Sequence, residues 1–288
     1  MKFFCNLLFL LTAFIACALE PIDWSKAKIV QKGIRHVRIE TDQPRLMKIN
    51  ILRIDLKTPG LEFTATGRAP GWGTPMPDFP ERIIRTKRQR TRMYLKESRE
   101  AGINMIAAVN ASPWGPWTKP YNHKFAEPPG VQISDGIIVS DDGKKRPTFV
   151  VYKDGTPAIL NGVPKNEYDK IKVAVSGFSI VVKDGKVLYV DENLHPRTLY
   201  GISKDKRYVY LITIDGRQKG WSLGAACSDG GKYLVAAGAS DVINMDGGGS
   251  STLVYWDEEN KKIVSLCRHN KNGSERTVGN SMGIILKQ

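Results

Sequence analysis

Residues 241–255, DVINMDGGGSSTLVY, place three consecutive glycines between an apolar run and a second β-prone run. The pattern predicts a strand that ends at Asp246, then a tight turn, then another strand or a short helix. Glycine is needed where the backbone takes a positive φ or where another group must approach it closely. The turn would gather backbone N–H groups beside Asp246 and the Ser250 hydroxyl, an arrangement that favours anions. The alternative is a plain hairpin turn with conformational glycines.

A second group of polar signals lies upstream, at residues 195–217. The segment HPRT, residues 195–198, precedes a strand over 199–202, and an apolar strand over 208–214 runs into DGR at 215–217. A helix is predicted to follow, with Ser222 as its N-cap, Ala237 near its end and Gly238 as its C-cap.

Two predicted strands therefore end in Asp-Gly, at Asp215 and at Asp246. Ligands of α/β folds collect beyond the carboxyl ends of strands, so we predict one site that contains both carboxylates and Arg197. The alternative for Asp215 is structural, because an ion pair with Arg217 would brace the turn.

The first half of the chain is predicted to be mostly scaffold. Near-alternating apolar residues predict strands from Lys28 to Thr66, and residues 67–80 form a Gly/Pro-rich loop. The very basic residues 81–100 are predicted to lead into a helix that ends near Gly102, with its charges on a solvated face. A buried strand is then predicted over 103–109, with Asn110 at its end. Asp-Gly pairs within residues 131–189 predict hairpins.

A loop rich in aromatic residues, NASPWGPWTKPYNH, opens at Asn110. Trp114, Trp117 and Tyr121 lie in this otherwise polar segment, and exposed aromatic rings on such loops stack on the apolar faces of sugars. The alternative is that the tryptophans form a lid over the core.

The N-terminus is typical of an export signal. Lys2 precedes an uncharged apolar run over residues 3–16, which is too short for a comfortable membrane span. Cleavage after Ala18 and a lipid anchor at Cys17 are competing outcomes, and both predict an exported protein, whether periplasmic, attached to the cell surface or secreted. In an oxidising compartment Cys227 and Cys267 could form a disulfide, although Cys227 could equally be a core residue. No CxxC or Cys/His cluster is present, so no zinc site is predicted.

Composition favours a folded chain with anionic partners. The 288 residues are 41% hydrophobic, which suits a packed core, and the formal net charge is +14. A basic exported protein is expected to bind phosphorylated or acidic glycans rather than nucleic acid, for which no recognition motif is present.

The ordered motifs PRT, ITIDGR and INMDGGGSSTLVY resemble the phosphodiester glycosidase family, from Val173 to Leu286 and more weakly back to Asn110. The resemblance implies an exported or lumenal hydrolase of carbohydrate metabolism with a mixed α/β core and no obligatory organic cofactor. It also implies a link to exopolysaccharide in bacteria.

The resemblance carries over residue by residue. Asn110 opens the family's aromatic segment, although the residues after it differ. Trp114 in this segment is expected to touch substrate. So are the residues that match family motifs, which are Asn110, Arg197, Thr198, Arg217, Asn244, Gly247, Gly248, Gly249 and Ser250. Arg276 and Asn280 lie in a family-like stretch, RTVGN, and are expected to give support only.

Cleavage of a glycosyl phosphate places its own requirements on the site. A phosphate leaving group is weakly basic, so such a glycosidase needs less acid assistance than usual, but it needs charge stabilisation of the phosphate. Arg197 and Arg217 could supply bidentate contacts, and the glycine turn could supply N–H donors. Asp246 and Asp215 are the candidate catalytic carboxylates, one as nucleophile or base and the other as a positioning group.

The sequence therefore predicts an α+β fold of mixed β-sheets with a few packed helices. The predicted organisation is a signal peptide over 1–18, a β-rich N-terminal portion over 19–80 and a catalytic domain over 81–288. The predicted function is hydrolysis of a glycosyl phosphodiester or related glycosidic bond in an anionic glycan. The alternatives are a glycan-binding protein without catalysis, with Trp114 stacking on sugar, and a phosphoesterase acting on exopolysaccharide.

Overall fold

The computed structural model describes residues 19–119, 121–188, 193–269 and 273–287. The predicted export signal at 1–18, with Cys5 and Cys17, lies outside these residues. No helix in the described ranges has the length and apolar character needed to span a membrane.

Strands dominate the described residues. In chain order they are β1 (Lys28–Gln31), β2 (Ile34–Thr41), β3 (Met47–Asp55), β4 (Leu61–Ala65), β5 (Pro75–Met76), β6 (Phe79–Ile83), β7 (Thr86–Lys87), β8 (Met105–Asn110), β9 (Phe125–Ala126), β10 (Gln132–Ser134), β11 (Ile137–Ser140), β12 (Pro147–Tyr152), β13 (Pro157–Asn161), β14 (Ile171–Ser176), β15 (Ser179–Lys183), β16 (Lys186–Val187), β17 (Arg197–Ser203), β18 (Tyr208–Ile214), β19 (Ala239–Asn244), β20 (Leu253–Asp257), β21 (Lys262–Ser265) and β22 (Ser281–Leu286).

Helices are few in the part of the chain that the structure describes. They are α1 (Thr91–Glu100), α2 (Cys227–Ala237) and three short 3₁₀ helices, Trp24–Lys26, Lys165–Lys170 and Gly248–Ser250. The predicted α+β class, with several sheets and a few packed helices, is confirmed.

Three large sheets and two two-stranded sheets, β5-β6 and β7-β9, build the described part of the molecule. The largest has the strand order β1-β2-β3-β18-β17-β19-β15-β16, and two five-stranded sheets have the orders β11-β10-β14-β12-β13 and β21-β20-β8-β22-β4. Strands β3 and β4 of the N-terminal portion pair with β18 and β22, so that portion shares its sheets with the later chain.

The main core lies where the three sheets meet. Leu211 and Ile243 come from the eight-stranded sheet, Phe149 from the second sheet and Val109 from the third, and all four are fully buried. The opposite face of the eight-stranded sheet is covered by α2, which contributes Leu234. Successive side chains of a strand point to opposite faces of the eight-stranded sheet, so one strand contributes to both cores. These strands are therefore apolar on both faces.

Helix α2 begins later than the sequence predicts. The N-cap of α2 is Ala226 rather than Ser222, and the Asp229 carboxylate accepts the Ala226 N–H. Ser222 instead bonds to nearby backbone of the same chain. Its hydroxyl donates to the Asp215 carbonyl and accepts the Lys48 N–H. The prediction of Gly238 as C-cap is confirmed by its φ of 107°.

The basic segment before α1 is also different from the prediction. Helix α1 begins at Thr91, and the residues before it form short strands. Arg88 is buried, where its guanidinium donates to the carbonyls of Tyr121 and His123 and to the Thr277 hydroxyl. The prediction of a solvated helix face is therefore wrong for Arg88, because backbone carbonyls replace water around its charge.

Candidate active site

The site lies at one edge of the eight-stranded sheet. Strand β17 pairs antiparallel with both β18 and β19, so β17 begins where its two neighbours end. Arg197, at the start of β17, therefore meets the loops that follow β18 and β19. The two Asp-Gly strands are not neighbours, but their ends are brought to the same edge as expected.

A cavity of about 770 Å³ opens at this edge. It is lined by the aromatic loop at 113, 114 and 117, by residues 178–179 and 195–197, by Arg217 and Cys227, by residues 244–248 and by Arg276. Asp246 is the one carboxylate among these lining residues. The cavity thus combines a single acid with three arginines and several aromatic rings.

Asp246 is half-buried in the cavity wall. Its N–H donates to the Ala111 carbonyl at 3.0 Å, and its carboxylate accepts the Gly247 N–H at 3.0 Å. Burial raises the pKa of Asp246 to about 6, against the opposing effects of the nearby Ser250 hydroxyl and the Arg276 guanidinium. A carboxyl group with this pKa can change its protonation state near neutral pH.

Asn110 and Thr198 lie behind the cavity rather than in its wall. Both are fully buried. The Asn110 carboxamide donates to the Asp246 carbonyl at 2.7 Å and accepts the Thr198 hydroxyl at 2.8 Å and the Thr252 N–H at 3.0 Å. Through these bonds Asn110 fixes the backbone that carries Asp246, and it does not line the cavity.

The three glycines are crowded by the protein's own groups. A Cβ atom at Gly247 would lie 2.8 Å from the Pro196 carbonyl, one at Gly248 3.3 Å from the Arg217 guanidinium, and one at Gly249 2.5 Å from the Arg276 guanidinium. Gly248 also has a φ of 62°. The Pro196 carbonyl excludes a side chain at Gly247, and the positive φ disfavours one at Gly248, so the fold itself accounts for these two glycines.

The backbone N–H groups of the glycine turn, which were expected to bind an anion, mostly donate to acceptors within the protein. The Gly247 N–H donates to the Asp246 carboxylate, and the Gly248 N–H donates to the Pro196 carbonyl at 2.8 Å. Ser250 is buried, and neither it nor Gly249 lines the cavity. Side-chain cations rather than the turn's N–H groups are therefore the main anion ligands that this edge offers.

The arginines approach the cavity from three different segments. Arg197 is buried, and its guanidinium donates to the carbonyls of Ala225 and Asn193. Arg217 is exposed, with a φ of 58°, and its guanidinium lies 2.9 Å from the His195 Nδ1 atom. Arg276 stacks over the Trp117 ring at 5.0 Å. Within the described ranges neither Arg217 nor Arg276 has a carboxylate within ion-pair distance, so both charges can serve a ligand.

Asp215 is turned away from the cavity. Its buried carboxylate accepts the Trp221 indole N–H at 2.9 Å and the Arg268 backbone N–H at 3.1 Å, and it does not line the cavity. Burial raises its pKa. The structure therefore does not bring the two candidate carboxylates together. The alternative of an ion pair between Asp215 and Arg217 is also wrong. Asp215 instead accepts hydrogen bonds from Trp221 and Arg268.

The two loop tryptophans differ in their exposure. Trp117 is 54% exposed, whereas Trp114 is only 6% exposed and packs against Gly279 and Ala126. Their ring centroids are 4.9 Å apart, and Arg88 lies 4.1 Å from the Trp114 ring. Trp114 therefore supports the loop, and Trp117 is the ring that is available for stacking.

Cys227 and Cys267 do not form the disulfide that the sequence allowed, because they lie in two different cores. Cys267 packs in the core between the three sheets and donates to the Thr213 hydroxyl, whereas Cys227 belongs to the core on the opposite face of the eight-stranded sheet. A sheet lies between them, so their sulfur atoms cannot approach each other. Cys227, in the first turn of α2, lines the cavity instead.

Several cavity residues were missed or given lesser roles by sequence reasoning. Phe178 and Ser179 lie in a block that was predicted to be scaffold, and no sequence signal marks them. Arg276 was expected to be supporting, yet it lines the cavity; its place in the RTVGN stretch was the available signal. Asn280 is supporting as expected, since its side chain accepts the Ser112 N–H and donates to Gln132.

No group of three or more His, Cys, Asp or Glu side chains suited to a metal ion occurs in the described part of the chain.

Comparison with known proteins identifies the scaffold. The family model described as phosphodiester glycosidase matches residues 103–285. No curated protein matches the chain.

Solved structures share the fold at low identity. One is the zebrafish N-acetylglucosamine-1-phosphodiester alpha-N-acetylglucosaminidase catalytic domain, auto-inhibited by its pro-peptide. It is 17% identical over 93% of this chain and 87% of that chain, with a TM-score of 0.61.

Two further structures come from bacteria. A Burkholderia pseudomallei protein described as exported is 12% identical over 84% of this chain and 74% of its own, with a TM-score of 0.58. A Synechocystis protein is 10% identical over 89% of this chain and 62% of its own, with a TM-score of 0.56. At such identities these structures show the shared fold alone.

The family match covers well over half of the chain, including β8, the start of β17 and the glycine turn. This chain therefore belongs to the phosphodiester glycosidase family and is a hydrolase of the glycosidase type.

Proposed function

We propose that this enzyme hydrolyses a glycosyl phosphodiester in an anionic glycan outside the cytoplasm, with Asp246 at the anomeric carbon and arginines on the phosphate. The observation that supports it best is the pairing of one carboxylate of raised pKa with Arg197, Arg217 and Arg276 in a single cavity. A carboxylate meets the positive charge that develops on the sugar, and guanidinium groups meet the negative charge on the leaving phosphate.

Among the described residues, the cavity offers one carboxylate where a glycosidase ordinarily uses two. Protonation of the leaving oxygen is the task of the second acid. The leaving group of a glycosyl phosphodiester is a phosphate monoester, a weakly basic anion, so cations can replace that acid. Arg217 and Arg276 lie against the consecutive residues Gly248 and Gly249, two and three positions after Asp246. This spacing places positive charge beside the carboxylate that would act on the sugar.

The choice of substrate also rests on the comparisons and on the predicted export signal at residues 1–18. The zebrafish enzyme is named for an N-acetylglucosamine-1-phosphodiester. That compound class is therefore the first substrate to test, followed by glucose, galactose and mannose 1-phosphodiesters. An exported enzyme would meet such linkages in exopolysaccharide.

The decisive experiment is hydrolysis in oxygen-18 water, followed by mass spectrometry of both products. Label in the sugar indicates C–O cleavage and supports the proposed glycosidase reaction. Label in the phosphate indicates P–O cleavage and a phosphoesterase. Binding of the panel without any turnover would support the non-catalytic alternative.

We expect kcat/KM to rise with pH through an apparent pKa of about 6, because the reaction requires Asp246 in its ionised form. The measurement is a pH–rate profile of the unmodified enzyme between pH 4 and 8, with enzyme stability checked at each pH. A profile that falls through the same pH would show that protonated Asp246 acts as an acid.

We expect Trp117→Ala to raise KM about fivefold to tenfold and to leave kcat nearly unchanged, because an exposed stacking ring supplies uniform binding. Its thermal stability should stay close to that of the parent. Trp114→Ala is the matched control, since loss of this buried ring should lower stability. A Trp117→Ala variant that melts early would show that Trp117 closes the core instead.

A further inference from the structure

We infer that the end of the cavity beside β15 is the subsite for the sugar ring, with Phe178 as its apolar surface and Asn244 as its hydrogen-bond acceptor. The orientation of the bound substrate, with its phosphate at the opposite end of the cavity, rests on the proposed function. The ligand class is an uncharged pyranose that carries hydroxyl or amide N–H donors.

Phe178 is an unusual residue for a loop between two strands of a scaffold. Its side chain lines the cavity and is 53% exposed. A ring this exposed has apolar surface that a ligand can remove from water, and the apolar faces of sugars suit such rings.

The backbone holds Phe178 rigidly next to the strand that leads to Asp246. The Phe178 N–H donates to the Asn244 carbonyl at 2.9 Å, and Ser179 pairs with Asn244 in the β15–β19 ladder. At Gly177 a Cβ atom would lie 2.4 Å from the same carbonyl, so glycine is required for this close approach. The backbone that carries the ring is therefore fixed before a ligand arrives, which lowers the entropic cost of binding.

Asn244 supplies an independent sign of a ligand. The residue is only 6% exposed and lines the cavity, yet its side-chain oxygen has no hydrogen-bond partner in the described ranges. A buried acceptor without a partner is unfavourable, and a hydroxyl or amide N–H of a bound sugar would relieve that cost.

The order of groups along the sheet edge gives the direction of the substrate. The adjacent strands β18, β17, β19 and β15 present, in turn, Arg217, Arg197, Asp246 and Phe178. A glycosyl phosphodiester has its anomeric carbon between its ring and its phosphate. With Asp246 at the anomeric carbon, the phosphate lies toward Arg217 and the ring lies toward Phe178.

The test separates sugar binding from phosphate binding and needs no turnover. Titrations monitored by tryptophan fluorescence and by ligand-observed NMR would measure Kd for N-acetylglucosamine, for glucose and for methyl phosphate. We expect Phe178→Ala to weaken sugar binding about tenfold and to leave the Kd of methyl phosphate within twofold. Arg217→Met should show the reverse pattern, and Phe178→Trp should restore sugar binding.

Ile137→Ala is the matched control, because Ile137 is 55% exposed but lies on β11, outside the cavity. Equal losses for both ligands, unchanged sugar binding in Phe178→Ala, or no sugar binding by the parent protein would each overturn the inference. If the enzyme hydrolyses glycosyl phosphodiesters but Phe178→Ala binds sugar normally, only the subsite fails. If sugar binding depends on Phe178 but nothing is hydrolysed, only the proposed function fails.

Discussion

Replacing Asp246 by Asn is expected to lower kcat at least about a hundredfold, which corresponds to roughly 2.7 kcal/mol of transition-state stabilisation. Asn keeps the shape of the side chain and can still accept the Gly247 N–H that Asp246 accepts at 3.0 Å. It carries no negative charge toward a developing oxocarbenium ion and cannot act as a nucleophile or base. The measurement is kcat on the best substrate of the panel at pH 7.

Stability provides the control for this variant. Because burial raises the folded-state pKa of Asp246 from 3.8 to about 6, its protonated form favours folding below about pH 4, and that contribution is lost as the pH rises through 6. Asp246→Asn does not titrate, so its stability relative to the parent should increase between pH 4 and 7. Urea unfolding at both pH values measures this. A variant that is destabilised at pH 7 and retains its kcat would assign Asp246 a structural role.

Asn110→Ala is expected to lower the free energy of unfolding by about 3–5 kcal/mol, because three buried hydrogen bonds are lost together. The Asp246 carbonyl, the Thr198 hydroxyl and the Thr252 N–H would each lose this partner. Urea unfolding of the variant and the parent measures the difference.

Thr198→Val is the matched control for Asn110→Ala, since it has nearly the same shape and removes only the hydroxyl that donates to Asn110. It should cost about 1–2 kcal/mol. If Asn110→Ala instead unfolds like the parent and only its substrate affinity falls, Asn110 contacts the substrate, as the family resemblance implied.

The location of the site could be predicted from the sequence because strand ends are local features. Apolar runs define β18 and β19, and the polar residues that follow each run must lie at the sheet edge. The direction in which a side chain within a turn points depends on contacts with other segments of the chain. Asp215 turns toward Trp221 and Arg268 because those groups donate to it, and no spacing in the sequence announces that contact.

The missed residues reach the cavity through long-range pairing. Phe178 arrives there because β15 pairs with β19, and Arg276 because the segment before β22 packs beside the glycine turn. Pairing of this kind joins parts of the chain that are tens of residues apart, and one sequence does not reveal it. Ser222 failed as a helix cap for a similar reason, since the Asp215 carbonyl and the Lys48 N–H compete for its hydroxyl.

The crowding of the glycine turn also has a thermodynamic consequence. Arg217 and Arg276 lie against consecutive glycines, so the fold brings two cationic side chains to one short piece of backbone. A dianion that contacts both guanidinium groups would bind the folded protein and not the unfolded chain. By mass action, a phosphate monoester at a hundred times its Kd would stabilise the folded protein by about 2.7 kcal/mol. The phosphate-bearing product of the proposed reaction would therefore also be a stabilising ligand, and its departure would return the enzyme to a less stable state before each new turnover.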